Sequence, residues 1–136
     1  MADKMITKEE LKAKIIEEID RRSEEIIGIG RRIFQHPELG FKERKTSELA
    51  SGTLKSLGLA CEEGLAITGV KAVAKGRQSK ARVMVMGELD AVVCPLHPCA
   101  DPQTGAAHSC GHNSQIATML GAAMGLTPFM EHLDGD

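Results

Sequence analysis

From Leu11 onward the apolar positions recur at helical spacing: Leu11, Ile15, Ile16 and Ile19, then Ile26, Ile27, Ile29 and Ile33. Separations of three, four and seven residues place them along one stripe of an α-helix. Thr7 followed three residues later by Glu10 is a capping-box signature, which marks the start of that helix. Gly28 and Gly30 interrupt the stripe softly. His36-Pro37 ends it, because the residue before a proline avoids helical dihedrals. A second helix is expected over residues 43–57, with Leu49, Leu54 and Leu57 facing inward and Gly58 as its stop.

The period then shortens. Residues 59–63 and 70–75 read as strands around a turn at Thr68-Gly69, and residues 76–80 as a loop. Arg82-Val83-Met84-Val85-Met86-Gly87 is a nearly continuous apolar run, the pattern of a strand buried on both faces. Residues 92–109 carry Pro95, Pro98 and Pro102 together with Cys94 and Cys99, and read as a loop without regular structure. A helix is expected over residues 110–126, with small residues Gly121 and Gly125 along one stripe, and Thr127-Pro128 opens a further short helix. The order helix, helix, strand, strand, strand, helix is an α/β plan.

Composition narrows the function classes. Hydrophobic residues make up 42% of the 136 and charged residues 26%, an ordinary globular balance. There is no Trp or Tyr, and Phe34, Phe41 and Phe129 are the only aromatic carbocycles, so the core must be aliphatic. A net charge of -2 argues against a nucleic-acid partner, which would need a basic surface. The pairs Arg21-Arg22 and Arg31-Arg32 sit among acids and read as a solvated helix face. The charged start has no apolar signal core, and no apolar run reaches membrane length. A cytoplasmic protein without a membrane partner is therefore expected. Its cysteines, Cys61, Cys94, Cys99 and Cys110, would be thiols or metal ligands and not disulfides.

Two clusters carry chemistry. In Gly87-Glu88-Leu89-Asp90, two carboxylates stand two residues apart after the apolar run. Active sites of open α/β sheets gather at such strand ends, and i, i+2 residues share a strand face. In His108-Ser109-Cys110-Gly111-His112-Asn113, a thiol and an imidazole flank one glycine at a helix start, where both can reach one metal ion. A carboxylate or carbonyl would hold the His112 ring in one tautomer. Each cluster alone also fits a bland reading, a surface turn with two acids and a free cysteine beside a surface histidine. The long loop between them brings carboxylates and soft ligands together, the raw material of a metallohydrolase.

The chain resembles the N-terminal third or so of the M20 metallopeptidase and amidohydrolase family. It is closest to the branch acting on N-acyl amino acids, hippurate, auxin–amino acid conjugates and aminobenzoyl-glutamate. The resemblance rests on three words in order: Arg32-Ile33-Phe34-Gln35-His36-Pro37-Glu38-Leu39-Gly40-Phe41-Lys42-Glu43, Gly87-Glu88-Leu89-Asp90-Ala91, and Gly105-Ala106-Ala107-His108-Ser109-Cys110-Gly111-His112-Asn113. It implies a partial three-layer sandwich of a zinc-peptidase-like catalytic domain, with residues 1–136 as the N-terminal portion of that one domain and no dimerisation domain. It implies Cys110 and His112 as metal ligands, Glu88 as a further acidic ligand, Asp90 as the catalytic acid beside a ligand, and His108 as a residue behind the ligands. His36-Pro37-Glu38-Leu39 is expected to be a helix stop and packing corner.

The activity implied is metal-assisted amide hydrolysis with one or two divalent ions, zinc or manganese, on a small N-acyl amino acid or peptide. The full-length protein would be a homodimer. The general base and further ligands are expected beyond this chain, which by itself would turn over negligibly. Many relatives have Asp after the Cys-Gly-His word and a histidine soon after. Here Asn113 and Gln115 hold those places, which points to a shift in substrate more than in chemistry.

Two other readings compete. Cys94, Cys99, Cys110 and His112 are a permitted ligand set for a small structural zinc module, although their spacing is not that of paired knuckles. A non-catalytic descendant that binds a ligand or partner is the other.

Overall fold

A computed structural model describes residues 6–136; the charged start, Met1 to Met5, lies outside the described residues. Helix α1 spans Lys8–Arg21, α2 Ser23–Gln35 and α3 Arg44–Ser56. Strands β1 (Cys61–Leu65) and β2 (Gly69–Ala72) form an antiparallel hairpin, and β3 (Val92–Val93) pairs antiparallel with β4 (Ala106–Ala107). Helix α4 spans His112–Leu126 and runs into a 3-10 turn over Thr127–His132. No helix among the described residues is long and apolar enough to cross a membrane.

The capping box forms as expected. The Glu10 amide donates to the Thr7 hydroxyl, and the Thr7 amide donates back to the Glu10 carboxylate. The Thr7 amide, and then the Thr7 hydroxyl, which also donates to that carboxylate, hold the Glu10 carboxyl below its ordinary pKa. The long helical stripe is not one helix. It breaks at Arg22, whose dihedrals leave the α region, and not at the glycines. The Arg22 guanidinium turns forward to Glu25 and the Arg21 guanidinium back to Glu18, so each half carries its own ion pair. Gly30 stays helical and serves packing: a Cβ there would stand 3.3 Å from the Cβ of Ala117 on α4.

Helix α4 is the centre of the molecule. Ile116, Leu120 and Met124 are fully buried and join Ile29, Ile33 and Ala117 in the core, with Leu49 and Leu54 of α3 and Leu57 just after it packed against them. The small-residue stripe is where α1 and α2 cross. A Cβ on Gly121 would meet Ile26 at 3.1 Å, and one on Gly125 would meet Ile19 at 2.6 Å. Ile16 and Ile27, on the apolar list of the first helices, are exposed.

Two expectations are corrected. The turn of the hairpin covers residues 66–68, with Ala66 and Ile67 at positive φ, so it includes Thr68 but begins earlier than expected, and Gly69 already pairs in β2; the Thr68 hydroxyl donates to Glu43. The larger correction concerns residues 82–87. They belong to no strand, and Val83, Met84, Val85 and Met86 are 58 to 75% exposed, so both faces are open. A strand is buried only by neighbours on its edges and layers on its faces. Among the described residues it has one edge contact. The Asp136 amide donates to the Ala81 carbonyl, and the Val83 amide donates to the Asp136 carbonyl.

Candidate metal and catalytic site

The loop over residues 92–109 has more structure than its sequence suggests, and that structure builds the site. Pairing of Val92 with Ala107 and Val93 with Ala106 zips its two ends together. The Cys94 amide donates to the Gly105 carbonyl, and the Asp101 amide to that of Ala106. The Asp101 carboxylate accepts from the amides of Gln103 and Thr104 and from the Thr104 hydroxyl. Those bonds, Thr104 first, hold its pKa low. The loop thus folds back on itself, and Asp90 and His108 stand just outside the paired residues on the two chains of the ladder.

Residues 87–91 are pinned from three sides. Gly87 lies against Ile116, where a Cβ would approach the Ile116 Cδ1 to 2.8 Å. The Glu88 amide donates to Gln115 Oε1 at 2.5 Å. The Ala91 amide donates to the Glu38 carbonyl at 2.7 Å, beside a parallel bridge between Leu39 and Ala91. The Glu38 side chain meanwhile caps α3, accepting from the Lys45 and Thr46 amides and the Thr46 hydroxyl. The His36-Pro37-Glu38-Leu39 word is indeed a corner. It fixes one end of the carboxylate-bearing segment to a helix N-terminus.

These constraints bring Glu88 and Asp90 to the two edges of one imidazole. His112 Nδ1 is 2.8 Å from the Asp90 carbonyl oxygen and 3.1 Å from its carboxylate. His112 Nε2 is 3.1 Å from Glu88 Oε2. With the ring proton on Nδ1, the ring donates to Asp90 and its Nε2 lone pair faces a carboxylate oxygen. Two acceptors at that separation require a proton or a cation between them. Donors at about 2.0–2.2 Å from a tetrahedral zinc stand about 3.3 Å apart, so the pair fits a shared divalent ion. Asp90 lies on the opposite ring edge, against Nδ1, where it orients the ring.

The other expected residues are placed less centrally. Cys110 precedes the N-cap Gly111 of α4, at φ +83, and its side chain is exposed. His108 is buried, and neither ring nitrogen completes a hydrogen bond among the described residues. Burial, and then the neighbouring His112, push its pKa down against the pull of Asp90 and Glu38. Among the described residues no three His, Cys, Asp or Glu side chains converge on one ion. Cys94, Cys99, Cys110 and His112, the ligand set of the alternative zinc module, are not brought together either. Cys99 is exposed in a turn where its amide donates to His97 Nδ1. By the same measure Glu88 and His112 offer a pair of donors and not a full set. A groove of about 500 Å³ between α2 and α4, lined by Ile26, Phe34, Asn113 and Ala117 among others, includes none of Glu88, Asp90 or His112.

Gln115 had no role in the sequence reading beyond marking a departure from relatives. Its place three residues after His112, on the same helix face, was the available signal.

No profile of a known protein family matches the chain. Individual proteins do. It is 31% identical over 133 residues to thermostable carboxypeptidase 2 of Saccharolobus solfataricus, covering 93% of this chain and 33% of that protein. It is 29% identical over 136 residues to the N-acyl-L-amino acid amidohydrolase of Geobacillus stearothermophilus, covering 96% of this chain and 35% of the relative. Among solved structures, the YxeP protein of Bacillus subtilis, a dinuclear metal-binding peptidase from the M20 family, superposes with a TM-score of 0.74 at 28% identity, over 85% of this chain and 34% of that one. The chain thus spans about a third of the length of the proteins it matches. Shared sequence along nearly its whole length and the shared α/β fold agree: the chain belongs to the M20 family of metallopeptidases and amidohydrolases.

Proposed function

We propose that this chain contributes part of the active site of a metal-dependent amidohydrolase that cleaves the amide bond of N-acyl amino acids or small peptides. The observation that carries the reading is the His112 ring, held at Nδ1 by Asp90 while its Nε2 faces Glu88 at 3.1 Å. Membership in a family whose relatives include an N-acyl-L-amino acid amidohydrolase and a carboxypeptidase supports the substrate class.

In this reading His112 and Glu88 are the preset pair for a divalent cation, zinc or manganese, and the exposed Cys110 is a third ligand that has to move to reach it. The cation, when bound, supplies Lewis-acid polarisation of the scissile carbonyl. Asp90 fixes the ring so that Nε2 and not Nδ1 is the donor. It also places a carboxylate behind the ligand, which raises the basicity of the imidazole. The pairing of β3 with β4 sets Asp90 and the His108-to-His112 word side by side. The same reading places the protein in the cytoplasm, where its four free thiols stay reduced, and pairs it with a second copy in a homodimer.

Calorimetric titration of the metal-free chain with zinc or manganese tests the assignment. The expected result is one ion bound, with affinity lowered at least about tenfold by His112→Ala or Cys110→Ser. A chain that binds no ion, or binds equally well with both residues replaced, overturns it. Because only a pair of donors meets on one point, the isolated chain is expected to show negligible hydrolysis of N-acyl amino acids; clear turnover by it would refute the partial site.

A further inference from the structure

We propose that Gln115 is a positioning residue that sets the Glu88 carboxylate against His112; its importance for metal binding rests on the function proposed above. His112 and Gln115 stand three residues apart in the first turn of α4 and share a helix face. Gln115 takes hold of Glu88 twice. Its Oε1 accepts from the Glu88 amide at 2.5 Å, and its Nε2 donates to Glu88 Oε2 at 3.5 Å. That same Oε2 is the atom 3.1 Å from His112 Nε2.

A carboxamide suits this task because it presents an acceptor and a donor on one rigid plane. The acceptor fixes the backbone at Glu88, and the donor draws the carboxylate back along α4 toward His112. Without it little else restrains that side chain: 64% of it is exposed, and its other recorded contact is His112 itself. The platform is firm. Ile116, next to Gln115, is in the core, and Gly87, next to Glu88, packs directly on it. The pair of donors is therefore set by a residue outside the pair, mounted on the same rigid turn as one of them.

Two measurements test this, one without metal. Amide hydrogen exchange of the metal-free chain should show the Glu88 amide protected. Gln115→Ala should speed its exchange roughly two- to tenfold, whereas Gln115→Glu, which keeps the acceptor, should not. Exchange unchanged by Gln115→Ala overturns the proposal. Titration with cobalt, followed by its visible absorption, supplies the second. Gln115→Ala should weaken cobalt binding about tenfold with the urea midpoint unchanged, and should have no further effect in a Glu88→Gln background. An equal loss in both backgrounds overturns action through Glu88. A wild-type chain that takes no cobalt overturns the metal reading of the preceding section instead, and the exchange result then decides whether Gln115 holds Glu88.

Discussion

Helix α4 and the run over residues 82–87 are both apolar, yet they meet opposite fates. In α4, Ile116, Leu120 and Met124 are closed off completely by α1, α2 and α3. In the run, four consecutive large hydrophobics are exposed on both faces. The difference lies in what each kind of element needs from others. A helix satisfies its own backbone and needs only its apolar sides covered. A buried strand needs a partner on each edge and a layer on each face. Residues 82–87 have hydrogen bonds to Asp136 on one edge and the side of α4 at Gly87. The apolar pattern states a demand for burial, and only neighbouring elements can meet it.

The comparison can be broken most forcefully at the centre of α4. Leu120→Ala, at a side chain with no exposure, should cost about 3 kcal/mol in urea unfolding, the price of a cavity in a closed core. A much smaller loss would mean that the helical layer is no better packed than the run. Glu38→Ala comes next. It strips the cap from the Lys45 and Thr46 amides and should cost about 1 kcal/mol, with faster exchange of those two amides as the local signature.

A smaller effect comes from pH. Burial lowers the folded-state pKa of His108 below its ordinary 6.5, so the unfolded chain takes up a proton that the folded chain resists. This contribution to stability is complete above the ordinary value and is lost as the pH falls through it. Unfolding free energy measured across this range should decline on the acid side, and His108→Gln should flatten that decline. The smallest effect belongs to the exposed run. Met84→Ser and Met86→Ser should change stability by less than about 0.5 kcal/mol while raising the concentration at which the chain aggregates. A loss of several times that size would show that these side chains are buried after all.

Sequence periodicity located the helices well because their signals are local. Thr7 and Glu10 cap each other across three residues, and Gly58 at φ +80 ends α3 where a left-handed residue was expected. The break at Arg22 was not legible, since neither glycine nor proline stands there to mark it. The hairpin turn begins at Ala66 and Ile67 although neither is a turn residue by type. Thr68, the expected turn position, is the last residue of that turn and is tied to Glu43, a partner 25 residues away.

For the candidate site, the words holding Glu88, Asp90, Cys110 and His112 could be picked out directly, because their residue types are those that metal sites use and the family resemblance runs through them. Which edge of the imidazole each carboxylate takes could not, because it depends on a two-residue ladder between β3 and β4 and on the Glu38 and Gln115 contacts. The sequence alone determined the helices, the aliphatic core and the chemical inventory, all of which follow from side-chain type and short-range spacing. Tertiary structure alone decided that Asp90 stands behind His112, that Glu88 faces it, and that residues 82–87 lie open. Each of those outcomes is set by contacts between segments distant along the chain, and no local pattern encodes which partner arrives.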